Sequence, residues 1–193
     1  MARAWRDQRL LRIGEGANEV VRLIIIKSLL RRGQTGRLPL DLAIADAPKL
    51  VVQTKGDSSD AVPAKLKTAA LLLLGLAKDT FGEQLAEEQE VCAAIADVAA
   101  AAFVSESAFV RVAKTSDNSA GSDAARLYAV LMSQSALKSY QTVMGRIGAA
   151  GAKFTNPGLQ AFSMILGSAV RENIVGLQRK LAGAVLEREG YPF

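Results

Sequence analysis

Histidine is missing from all 193 residues. That removes Ser-His-Asp and Cys-His nucleophile systems, histidine metal sites and imidazole general bases. Cysteine occurs once, at Cys92, so neither an intrachain disulfide nor a thiolate zinc cluster can form. No metal is expected. A single thiol also fits a reducing compartment, and its setting in "QEVCAAIADVAA" reads as a small core residue. Aromatics make up only 5% of the chain. No stacking set accompanies the basic residues, so no nucleic-acid partner is expected. Long apolar runs are lacking too. "TAALLLLGLA" falls short of the roughly 18 residues of a membrane span and is flanked by Lys65, Lys67, Lys78 and Asp79. The N-terminus lacks the apolar core of a secretory signal. Any chemistry therefore falls to carboxylates, lysines, hydroxyls or a cofactor.

Half the residues are apolar and 22% are charged. Enough surface can be buried to offset ordering entropy, so the chain is expected to fold. The apolar share is rich in Ala and Leu, which favours packed helices over sheets. The net charge of +5 is uneven: residues 1–37 hold nine Lys and Arg against three Asp and Glu. Arg3, Arg6, Arg9 and Arg12 recur every third residue and would form a stripe on a helix. Such a stripe is a solvated face, or a contact for an acidic partner or anionic lipid.

Residues 3–13 read as a short helix, interrupted by Gly14 and Gly16. A second helix runs over 18–32 and ends in "KSLLRRGQTG", with Gly33 as the expected C-cap. A connector over 36–63 contains Pro39, Pro48 and Pro63, with a short helix expected in "LDLAIADA". Longer helices follow at 65–81, 83–114, 124–148 and 157–189. In the second of these, Leu85, Cys92, Ile95, Ala99, Ala102, Phe103 and Val110 keep near-helical spacing. "TSDNSAGSD" and "GAAGAKFTNPG" mark breaks, and Ser122 or Asp123 is the expected cap after the first. No strand and no fixed-period repeat is expected. The fold class is all-α: an up-down helical bundle, preceded by two short helices and a Pro/Gly-containing linker.

Glu15 stands between Gly14 and Gly16, with Ala17, Asn18 and Glu19 behind it. It has two readings. In one it precedes a helix, favours the positive helix end and stays in water. In the other the glycines let a ligand approach, an apolar pocket raises the carboxyl pKa, and Glu15 becomes a proton acceptor.

The stretch "WRDQRLLRIGEGANEVVRLIIIKSLLRRGQTGRLPL" resembles the signature of acyl-CoA dehydrogenases. Trp5, Arg6, Asp7 and Arg9 match its first part, and Glu15, Gly16, Asn18, Glu19, Val20 and Arg22 its second. Downstream, "LAKDTFGEQLAEEQEVCAAIADVAAAAFVSESAFVR" is similar to the extra C-terminal helical region of the very-long-chain branch. Two positions depart from the pattern. Gly14 stands where Phe or Tyr is common, and Ala17 where Thr is common.

The resemblance implies FAD-dependent oxidation of an acyl-CoA to the trans-2-enoyl-CoA in fatty-acid beta-oxidation. Glu15 would be the catalytic base, and Gly16, Ala17 and Asn18 would lie beside the cofactor. It implies acyl-CoA as substrate, an electron-transferring flavoprotein as acceptor and a homodimer. It also implies a division into 1–35, the tail of the catalytic domain; 36–63, a linker; and 64–193, an additional helical bundle. The family's N-terminal and middle domains precede the signature, so this chain reads as a C-terminal segment, inactive by itself. The location expected is cytoplasmic in a bacterium and mitochondrial in a eukaryote. Two rivals stand beside this reading. One is a non-enzymatic helical interaction or dimerisation module of the same ancestry. The other is a peripheral binder of anionic membrane surfaces through Arg3, Arg6, Arg9 and Arg12.

Overall fold

The computed structural model describes residues 2–14, 16–53, 59–115, 119–150 and 172–189. All regular structure in them is helical: α1 (Ala2–Leu10), α2 (Asn18–Gln34), α3 (Leu40–Gln53), α4 (Val62–Phe81), α5 (Gln89–Ala113), α6 (Ser119–Ala149) and α7 (Ile174–Glu187). Short 3-10 turns at Ser59–Ala61 and Gly82–Glu87 introduce α4 and α5. The all-α bundle expected from the sequence is the architecture found.

At the centre lies α5, which packs most extensively against α6 and α4. Among the described residues it is the helix long and apolar enough to cross a membrane. Its alanines and small aliphatics are instead the core of the bundle: Val91, Cys92, Ile95, Ala96 and Val98 are buried, with Leu66, Leu73 and Ala77 of α4 and Val143 and Ile147 of α6. Small side chains let the helix axes approach closely. Phe103 and Val110, expected on the same stripe, stay largely exposed. The stripe drifts towards solvent along the second half of α5.

Pairs near the helix ends fix the directions. Lys67, early in α4, bonds Glu106, late in α5, at 2.5 Å. Arg146, near the end of α6, meets Glu88 just before α5 and stacks 5.2 Å from the centre of the Phe81 ring. Thus α4 and α5 run antiparallel, as do α5 and α6. Arg126, in the first turns of α6, bonds Glu172 at 2.6 Å. Helix α7 therefore starts at the end of the bundle where α6 starts. Asn173 caps α7, its side chain accepting from the Gly176 N–H at 2.8 Å.

Several helix boundaries differ from the sequence expectation. α1 stops at Leu10, and Leu11–Gly14 close as turns back to Asp7, Arg9 and Leu10. α2 runs through Gly33 and ends at Gln34. The left-handed residue is Gly36, at φ +68°. Gly33 has another task, because a Cβ there would stand 3.0 Å from the Leu40 side chain. α3 runs through Pro48, whereas the expected helix stopped before it. Its buried Ala47 and Val51 hold the second half of the helix on the core, and Pro48 sits on the solvent side. α6 starts at Ser119, before the expected caps, and Asp123 instead pairs with Arg126 at 3.6 Å. Of the expected helix over 157–189, the first part lies outside the described residues. Ile174 opens α7 and Leu177 is buried in it.

Candidate functional site

The signature stretch forms the corner between α1 and α2. The turn after α1 ends in a bond from the Gly14 N–H to the Leu10 carbonyl at 2.8 Å. Gly16 adopts φ +122°, a conformation that L side chains rarely take. Among the described residues, a Val21 methyl lies 3.7 Å from the position of a Cβ there. Glycine at this point is therefore favoured by the backbone conformation.

Ala17 occupies the N-cap of α2, at φ −57° and ψ 143°. Its carbonyl accepts from the N–H groups of Val20 and Val21 at 2.9 and 3.1 Å. An alanine has no side-chain oxygen to return, so no side-chain cap bond forms. The Asn18 N–H donates to the Arg12 carbonyl at 3.2 Å, folding the corner shut. Asn18 and Ala17 are half-buried and Gly16 is exposed. Glu15, the candidate base, lies outside the described residues.

One turn into α2, Arg22 anchors this corner to the bundle. Its Nε donates to Asp97 Oδ1 of α5 at 2.6 Å, and a terminal nitrogen stands 3.9 Å from Glu19. Asp97 was not singled out in the sequence. The signal was there: it is the lone acid in the alanine-rich run "AAIADVAAAAF". Around this pair runs a polar groove between α5 and α6, with hollows of about 410 and 240 Å³ that share Arg22, Asp97, Ser135 and Ser139. Sequence spacing did not bring Ser135 and Ser139 to Arg22; the packing of α6 on α5 does.

The arginine stripe reads differently from the corner. Arg3, Arg6, Arg9 and Arg12 are exposed, and Arg3 stands 3.8 Å from Asp7. Leu10, Leu11 and Ile13 are exposed beside them, Ile13 at 76%. Among the described residues, no group of three or more acidic or thiol side chains is placed to hold a metal ion.

The fit of a flavin cofactor can be judged from the corner itself. An exposed glycine at the positive end of a 17-residue helix, with no side chain of its own, would suit one edge of a site for a planar, phosphate-bearing group. Side-chain donors are few there: Ala17 offers none, and Asn18 is the polar side chain at hand.

Residues 65–151 match the family model described as acyl-CoA dehydrogenase, C-terminal domain. A probable acyl-CoA dehydrogenase of Bacillus subtilis (strain 168) is 32% identical over 120 residues, 58% of this chain and 20% of that protein. Among solved structures, an acyl-CoA dehydrogenase complexed with FAD from Bacillus anthracis matches with a TM-score of 0.72 at 27% identity. That match covers 98% of this chain and 34% of the solved one. The chain thus spans about a fifth of one relative and a third of the other. By these matches the chain is similar to the C-terminal portion of acyl-CoA dehydrogenases.

Proposed function

We propose that this chain is the C-terminal segment of an FAD-dependent acyl-CoA dehydrogenase of the very-long-chain type, with Glu15 as catalytic base. One observation carries the reading. The match to the FAD-bound relative covers 98% of the chain, and this chain carries the glycine-flanked Glu15 that the resemblance assigns as base.

In this reading residues 1–35 are the tail of the catalytic domain, 36–63 link it onward, and 64–193 form the additional bundle. Glu15 takes the alpha proton of the acyl thioester. Gly16, with no side chain, admits the ligand to the chain. Asn18 offers its amide, and Ala17 leaves the N-cap open at the positive end of α2. FAD, held beside Gly16, Ala17 and Asn18, would supply the hydride acceptor for the beta carbon, and an electron-transferring flavoprotein would take up its electrons. Arg22, held by Asp97, keeps the corner fixed on the bundle. The segment acts within a larger enzyme, a homodimer, and is inactive by itself. Its bacterial relatives favour a cytoplasmic site of action.

The test is complementation. The chain is joined to, or co-expressed with, the N-terminal and middle domains of an acyl-CoA dehydrogenase. Acyl-CoA-dependent dye reduction should appear, and Glu15→Gln should lower it about 1,000-fold, the scale of a lost general base. Bound flavin should be unchanged in that variant. Full activity in Glu15→Gln, or turnover by the isolated chain, would refute the proposal.

The exposed Leu10, Leu11 and Ile13 favour a second reading, a helical interaction or dimerisation module without catalysis. Complementation that yields a stable complex but no turnover, with flavin bound, would support it.

A further inference from the structure

Four helices border a half-open apolar hollow that none of them fills. A cavity of about 620 Å³ opens between α2, α3, α4 and α5. Leu29, Leu40, Leu71, Leu74 and Ile95 supply its wall, and among the described residues Lys67 and Glu106 are the polar side chains lining it. These two bond each other at 2.5 Å, and both are about half exposed. The mouth thus carries a donor and an acceptor side by side with no net charge. Phe103, also lining the cavity, is 70% exposed.

The volume falls within the rough range of small-ligand sites, about 300–1,000 Å³. Water fills such a space poorly, since it needs about two to four polar partners and the wall offers none beyond the mouth. Close packing of the helices does not close it either. The α2–α3 corner is held by contact of Gly33 with Leu40, and α3 is held on α4 by contact of Gly75 with Ile44.

We propose that this cavity binds a single-chain amphiphile, with an alkyl tail along the apolar wall and a carboxamide head between Lys67 and Glu106. The tail follows from the wall. The head follows from complementarity at the mouth. An anionic head would face Glu106, and a cationic head would face Lys67. A carboxamide satisfies both: its oxygen accepts from the Lys67 ammonium, and its N–H donates to the Glu106 carboxylate. No residue of the cavity belongs to the 15–18 corner, so the site stands whether or not the dehydrogenase reading does.

Calorimetric titration of the full chain tests this with three probes that share one tail: decanamide, decanoate and decyltrimethylammonium, each below its micelle-forming concentration. Decanamide should bind saturably, one per chain, and about fivefold more tightly than either charged probe. Ala70→Trp and Ala99→Trp fill the cavity from α4 and α5. Each should weaken decanamide at least about tenfold while leaving the helical circular dichroism intact. Lys67→Met, at an exposed position, should erase the preference for the amide and leave the tail bound. Unsaturable uptake, equal affinity for the three heads, a preference that survives Lys67→Met, or folded tryptophan variants that bind like the parent would each overturn the site.

Discussion

Arg22 and Asp97, 75 positions apart, meet at 2.6 Å and join the signature helix to the core helix of the bundle. Both side chains are part-exposed, at 35% and 44%, so the bond lies in wet surroundings and is worth little in isolation. A double-mutant cycle of Arg22→Met and Asp97→Asn should give a coupling of about 1 kcal/mol, read from urea unfolding. Hydrogen exchange offers a second readout. Amides at the start of α2 should exchange faster in either single variant, while those of α6 stay unchanged. A cycle that closes at zero, with exchange unaltered, would mean that the pair does not hold the corner.

Gly75 gives way to a neighbour. A Cβ built there would stand 2.5 Å from the Ile44 Cγ2, closer than packed carbons tolerate. Gly75→Ala should destabilise the chain by about 1–3 kcal/mol, although alanine is the better helix former. Ile44→Ala in the same chain should recover part of that loss, so the two changes should be non-additive. Thermal unfolding of the two single variants and the double decides the matter. Simple addition would place the strain elsewhere.

Ala17 leaves the first turn of α2 without a side-chain acceptor. Its backbone already has the extended conformation that a capping residue uses. Ala17→Ser should therefore stabilise the chain by about 1 kcal/mol in urea titrations. Ala17→Val, which cannot cap, should not. Equal gains from both would point to burial instead.

Alkaline pH should weaken the fold in two stages. Burial pushes the Cys92 thiol and the Tyr128 and Tyr140 phenols up from their ordinary values. For each, the folded chain holds its proton more tightly than the unfolded chain does. The unfolded chain ionises first. Stability is thus full below the ordinary pKa values and falls as pH climbs past about 8.5 for the thiol and about 10 for the phenols. Urea midpoints measured across that window should decline, and Cys92→Ala should remove the first stage only. A flat profile would count against burial as the cause.

Much of this architecture could be read from residue spacing. The near-helical spacing of Leu85, Cys92, Ile95 and Ala102 places those residues in the core where the structure buries them. Glycines were harder to read. Gly33 and Gly36 both stand near the end of α2, and spacing alone does not tell a helix terminator from a glycine kept small for a neighbour. Leu40, four residues beyond Gly36 and on another helix, decides which is which. Pro48 misled for a similar reason. The local rule stops a helix before proline, but burial of Ala47 and Val51 carries α3 through it. At the site, the corner of Gly16, Ala17 and Asn18 is local and could be located from sequence. Its anchor was not, because the Arg22–Asp97 pairing depends on how α2 lies across α5.

The lone thiol of Cys92 sits under the turn between α4 and α5, its Sγ donating to the Leu85 carbonyl at 3.2 Å. Cys92 is buried in the core, so a reagent in solution reaches it when the bundle opens around it. Cys92 is therefore a built-in stopwatch: the pace of its alkylation counts how often the bundle breathes at that end, with no label added and no second thiol to confuse the count.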